Sequence, residues 1–319
     1  MARGLEPRSV DELAATGRAA EPTLPVNRRR RAHALLRQGW RRVRRLPPSL
    51  VIGGTIMVIY VLVALTGPWW IPYGPSDIGT GMPLEGASGQ HLFGTDDLGR
   101  DVFSRAVIAT QTDLALALAG TALGCVTGAV VGLLSAYFAG WIDEILMRVV
   151  DGVISIPFLI FALLVISAAG PARTGDPSLL VAIVALIYAP RMARMARATA
   201  LEVMTTDYVM IARTRGEGPL SIVFREVLHN TWSTLLVELA VRLGNAPLVI
   251  GSLGFLGFGI RPPTPEWGLM ISEERGALLT APVLVLGPSA VLALLVIGIN
   301  LFADGLARLL GRTLMVGGG

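Results

Sequence analysis

The chain has 319 residues, of which 53% are apolar and 16% charged, against about 25% charged in an average soluble domain. A soluble globular enzyme cannot hide so much apolar surface from water and a disordered chain would not carry it, so the composition is that of an integral membrane protein. All 27 basic residues are arginine, which leaves no Walker-type phosphate loop, pyridoxal Schiff base or Ser-Lys dyad; one cysteine (Cys125) and three scattered histidines offer little for metal or redox catalysis.

Residues 1–30 read as a disordered basic tail. Residues 31–48 place Leu35, Leu36, Trp40 and Val43 at helical spacing among arginines. That fits a juxtamembrane amphipathic helix on an anionic leaflet or, more plainly, a solvated tail that sets topology. A membrane domain, 49–310, follows, and then a short tail, 311–319. Six apolar stretches in it approach the roughly 20 helical residues that cross a hydrocarbon core: 49–71, 113–138, 149–169, 178–195, 231–258 and 282–306. The first starts too late and runs too long for a cleavable signal peptide. Trp69, Trp70 and Tyr73 at its end suit an aromatic anchor.

Between the first two spans, Thr95, Asp96, Asp97, Arg100 and Asp101 crowd together without the spacing of a calcium loop, and read as a capped helix start. The second span carries Gly120, Gly124, Gly128 and Gly132, a ridge that lets helices approach closely, either within this chain or against another subunit. Pro157 in the third span and Pro190 at the end of the fourth allow kinks. The fifth span carries Glu238 and Arg242 at i,i+4, a self-neutralising pair that is either structural or lines a polar path. Gly251, Gly254 and Gly257 follow on it. Asp151 and Asp304 read as helix-end residues.

The segment 191–230 is the longest connection. Residues 191–215 lack Gly and Pro, Arg215–Pro219 (RGEGP) form a break, and Pro219 suits the first turn of a new helix. Leu220, Val223, Phe224 and Val227 then share a face. The expectation is a helix–turn–helix elbow, docked on a soluble partner or folded against the spans. Orientation follows from the arginines: 21 lie on the side of the termini and the elbow, five on the other side, and Arg242 within a span. Both termini and the elbow are therefore expected in the cytoplasm.

Three motifs carry a resemblance. Asp207-Tyr208-Val209-x-x-Ala212-x-x-x-Gly216, with Leu228 and Asn230, resembles the E-A-A-x3-G-x9-I-x-L-P loop of binding-protein-dependent ABC permeases. Residues 91–105 (HLFGTDDLGRDVFSR) are similar to the stretch before the second span in the dipeptide/oligopeptide/nickel branch of that family, the C-type subunit in particular. Residues 251–268, with Pro262, Pro263, Pro265, Trp267 and Gly268, resemble the exit of its fifth span, and Asn300-Leu301-x-x-Asp304-Gly305 the end of its last. Met210, Ile211, Glu226, His229 and Ala303 depart from the pattern, so no role of the motif's Glu carries over.

The resemblance implies an all-α permease of the type I ABC importer fold with six transmembrane helices, working by alternating access. It implies a homologous second permease, two ATPase subunits that carry the ATP and magnesium, an extracytoplasmic substrate-binding protein and surrounding lipid. No cofactor, metal, catalytic residue or nucleic acid is expected in this chain. It also makes residues 207–230 the ATPase-coupling loop and 262–268 an outer gate or docking loop. Peptide is favoured over nickel, since no span clusters His or Cys. A secondary transporter would need inverted repeats around broken helices, and none appears; an intramembrane enzyme would need converging nucleophile and base.

Overall fold

The computed structural model describes residues 46–316, with side chains through residue 311. The expected tail at 1–30, nearly all of the helix expected at 31–48 and the last residues of the chain lie outside the described residues. Regular structure among the described residues is helical: α1 Pro48–Trp70, α2 Val102–Phe138, α3 Gly140–Ser155, α4 Phe158–Ala169, α5 Pro177–Met204, α6 Asp207–Thr214, α7 Pro219–Phe255, α8 Trp267–Glu273 and α9 Val283–Val316. Five of these are long and apolar enough to cross a membrane, and α3 with α4 makes a sixth span if the bent pair is counted as one.

The helix boundaries depart from the hydropathy pattern for physical reasons. α2 starts at Val102, well before the expected Asp113, because Asp101 caps it by accepting the Ser104 N–H at 2.7 Å. Its early polar residues are buried and partnered, which a hydropathy window cannot register. The third span breaks: α3 and α4 meet at 100°. Pro157 disfavours the helical conformation in the residue before it, and Ile156 is extended, with ψ of 126°. The kink expected there is thus a complete corner. α5, by contrast, runs on through Pro190, Arg191 and Arg194 to Met204.

The closest packing joins α2 to α5. A Cβ at Gly120 would lie 2.6 Å from Val184 Cβ, and one at Gly124 2.7 Å from the Ala185 carbonyl oxygen. Gly128 and Gly132 face the backbone carbonyls of Ala189 and Ala193 in the same way. The ridge therefore seats one helix backbone on the other within a single chain. α1 lies along α9, where Gly53 and Gly298 make a similar approach. One apolar cluster surrounds the wholly buried Trp267 with Tyr60, Ile250, Leu284 and Leu295. A second ties Leu133 and Ala196 to Val209, Ile222, Val223 and Leu235 at the elbow end.

Filling the seam should be costly. Gly128→Leu is expected to lower the unfolding temperature of the detergent-solubilised protein by several degrees, an overpacking loss of about 1–3 kcal/mol. Gly152→Ala, on exposed α3 where a Cβ meets nothing, should leave it unchanged or slightly higher. A scanning-fluorimetry comparison of the two variants checks both.

Candidate functional site

The elbow is built from two breaks. α5 ends at Met204 and Thr206 turns extended before α6, a division within 191–215 that the sequence does not signal with Gly or Pro. After α6, Gly216 adopts φ of +76°, the left-handed region that favours glycine. Its N–H bonds the Arg213 carbonyl at 3.0 Å, and the Glu217 N–H reaches the Ala212 carbonyl at 3.2 Å. These bonds satisfy the last carbonyls of α6 in the manner of a glycine C-cap. A Cβ at Gly216 would meet nothing within 4 Å, so the requirement is conformational rather than spatial. Pro219 sits in the first turn of α7, where the missing N–H is harmless. Asp207 lies in the first turn of α6, favourable to its dipole.

Val209 and Ala212 of α6 are buried with Ile222, Val223 and Val227 of α7. Leu220 and Phe224 are exposed instead of joining them, because residues 222–227 form a π-turn whose wider winding rotates the two pairs apart. The shared face expected for the four is thereby split. Tyr208, Met210, Ile211, Leu220 and Phe224 leave an apolar surface uncovered at the tip. Leu228 is half-buried against the core, while His229 and Asn230 are exposed, the Asn230 amide donating to the Glu226 carbonyl at 2.7 Å.

Within the spans, Glu238 and Arg242 are an ion pair one turn apart on α7, both largely buried. Arg194 pairs with Asp151, and Arg197 donates twice to Asp143 at 2.5 Å, so two bridges clip α3 to α5. Asp304 is exposed near the end of α9.

The opposite end of the bundle is closed by residues 256–282. Pro262 and Pro263 are exposed, whereas Pro265, Glu266, Trp267 and Gly268 are buried. Gly268 rests on the backbone of Gly251, and the Glu266 carboxyl packs against Gly254. Glu266 accepts the N–H groups of Gly268 at 2.7 Å and Leu269 at 2.9 Å, capping α8. The Trp267 N–H donates to Asp113 Oδ2 at 3.1 Å and its indole N–H to the Ala106 carbonyl at 3.0 Å. Asp113 and Glu266 both hold the start of α8, one at the Trp267 N–H and the other at the N–H groups of the next two residues. Nothing in the sequence pairs them, as they lie far apart along the chain. Burial raises the Glu266 carboxyl to about 7, against the pull of the two backbone donors.

Beside this lid, residues 71–101 form a compact outer loop. Asp96 holds the Arg100 side chain at 2.5 Å and the backbone N–H groups of Leu98 and Arg100, and Asp101 pairs with His91 at 2.9 Å. The expected capped helix start is thus present. Tyr73 stacks on His91 rather than standing free with the exposed Trp69 and Trp70. Arg105 of α2 bridges to Glu273 at 3.3 Å, joining α2 to the lid. Burial raises both Glu273 and Glu274, the latter to about 6.

A bundle of five or six apolar helices, with the segment 256–282 at one end and the elbow at the other, defines a polytopic membrane protein. Residues 128–316 match the family described as "Binding-protein-dependent transport system inner membrane component". The glutathione transport system permease protein GsiD of Pectobacterium atrosepticum is 34% identical over 89% of this chain and 93% of its own length. The dipeptide transport system permease protein DppC of Haemophilus influenzae is 34% identical over 80% of this chain and 88% of its own. GsiD of Salmonella typhimurium is 36% identical over 85% and 88%. The chain belongs to the binding-protein-dependent ABC importer permeases, and is a multi-pass inner-membrane protein.

The buried lid carboxyl makes stability depend on pH. Because Glu266 binds its proton more tightly folded than unfolded, its contribution is full below the ordinary carboxylate range near 4.5 and is lost as pH rises through about 7. Glu273 and Glu274 act with the same sign. The unfolding temperature should therefore fall between about pH 5 and 8. Glu266→Gln should flatten the upper part of that profile; a full slope in the variant would assign the titration to another group.

Proposed function

We propose that this chain is one of two membrane subunits of an ATP-driven importer for short peptides, and that it is a non-catalytic, mechanical part. The observation that carries the reading is the elbow: an uncovered apolar surface on the short α6 and the first turns of α7, with the turn at Gly216 between them and α7 running on into the membrane core. The relatives named for glutathione and dipeptide transport support the solute class, since both are short peptides with free termini. In this reading a homologous permease supplies the other half of the path, two ATPase subunits hydrolyse ATP with magnesium, and an extracytoplasmic binding protein delivers the solute at the lid. Glu238 and Arg242 are the candidate path residues. The arginine distribution supports a cytoplasmic elbow and cytoplasmic termini.

Motion enters at the elbow because a residue in the left-handed region is a joint between two rigid rods. Met210 and His229, both exposed, stand where the family loop carries Glu and Pro, so the contact with the ATPase is less acidic than the family pattern.

The test is the complex reconstituted in liposomes with its binding protein. Uptake should require ATP on the elbow side, and uptake driven by an ion gradient without nucleotide would overturn the proposal. Gly216→Val, disfavoured in the left-handed region by about 1–2 kcal/mol, should reduce peptide-stimulated ATP turnover about tenfold. Gly216→Asn, which tolerates that region, should retain most of it.

A further inference from the structure

The helix α3 is set apart from both spans that flank it. Ala139 and Gly140, with φ of +49° and +60°, reverse the chain after α2, and the corner at Pro157 turns it by 100° into α4. One side of α3 is fixed by polar contacts. Asp143 accepts the Ser135 hydroxyl of α2 at 2.5 Å and two N–H groups of Arg197 on α5, and Asp151 takes Arg194. Val150 on that side is buried. The other side is apolar and uncovered: Trp141, Ile145 and Val149, each one turn from the next, stand exposed, with Ile142 and Leu146 half-buried at their flank. A strip of charge, Glu144, Arg148 and Asp151, borders this face and is exposed as well.

Under the corner lies a crevice of about 170 Å³. Val150 and Val153 of α3, Phe161 of α4, and Gly128, Ala189 and Ala193 of the α2–α5 seam line it. The one polar side chain in the lining is Thr127, whose hydroxyl donates to its own helix, at the Leu123 carbonyl 2.7 Å away. Such a space offers water almost no hydrogen bond; an engineered apolar cavity of about 150 Å³ stays dry and takes up benzene instead. The lining runs outward through Val149 and Leu186, both exposed, towards the exposed Ile160 and Leu164 of α4. The crevice is therefore continuous with the apolar outer surface of the spans.

Two coverings suit the open face of α3, a further subunit or the bilayer, and the charged strip decides between them. A subunit seated on Trp141, Ile145 and Val149 would draw Glu144, Arg148 and Asp151 out of water along with them, a costly desolvation. At a bilayer surface the charges stay in the headgroup layer while the apolar residues enter, with a Trp at the boundary, which is the arrangement of an interfacial amphipathic helix. The 16 residues of α3 reach about 24 Å, short of the roughly 30 Å hydrocarbon core, so it does not cross alone. The 100° corner lays it nearly flat when α4 stands upright. We propose that α3 lies in the leaflet on the elbow side, its Trp141–Val149 face among the acyl chains, and that one phospholipid acyl chain fills the crevice under the corner.

The experiment places the complex in nanodiscs of phosphatidylethanolamine and phosphatidylglycerol. On a Cys125→Ala background, nitroxide labels are attached at Ile145→Cys, Val149→Cys and Glu144→Cys. Dissolved oxygen should reach the labels at 145 and 149 several-fold more readily than a water-soluble nickel chelate does, and the order should reverse at 144. Chelate reaching all three alike would put the face in water, and exclusion of both reagents from 145 and 149 would put it under another subunit; either result overturns the proposal. For the crevice, the same discs carry phosphatidylethanolamine with a diazirine in its acyl chain. Photolysis should leave lipid adducts on residues 149–161. Val153→Phe and, separately, Phe161→Trp, which fill the space, should lower that yield several-fold while adducts on the exposed Ile59 and Leu62 of α1 hold steady. A yield on 149–161 that neither variant changes would overturn the acyl-chain site. All of these readouts concern this chain and its lipid, so they stand apart from whether the complex imports peptides.

Discussion

The contact on which the rest of the structure depends is the seam between α2 and α5. Four glycines in one register bring the two helices together, Gly120 against the Val184 side chain and the other three against backbone carbonyls. In lipid, where burying apolar surface between helices brings little gain, such close backbone packing is the main source of helix association. What the seam fixes is functional in consequence. Asp113, which holds the Trp267 N–H, belongs to α2, and α5 leads directly into the elbow. Both ends of the chain's membrane domain are therefore referred to one pair of helices.

Polar groups divide by how they are answered. At the lid end they are closed upon themselves: Asp113, Glu266 and the Trp267 main chain satisfy one another, and the loop arginines find carboxylates. Along α3 and α5 two ion pairs do the same.

Much of this was legible in the sequence. Hydropathy located the spans because their lengths are set by the bilayer, and Asp101 and Pro219 marked helix starts because capping and first-turn preferences are local. The RGEGP break was visible for the same reason. What escaped the reading was non-local. The early part of α2 is helical in spite of Arg105 and Asp113, whose partners Glu273 and Trp267 lie far along the chain. The break at Thr205 and Thr206 has no Gly or Pro to announce it. The π-turn at 222–227 cannot be read from a period of 3.6, and it is what divides Leu220 and Phe224 from Val223 and Val227.

The corner at Pro157 has a consequence for the surroundings. α4 has 12 residues and so rises about 18 Å, against a hydrocarbon thickness of about 30 Å. Lipids beside it meet a wall shorter than their own tails, and the mismatch is absorbed by a dip in the leaflet or by α3 lying along its surface. The conformational energy of this corner thereby varies with acyl-chain length. Membrane thickness becomes one of the quantities that set the resting shape of the subunit.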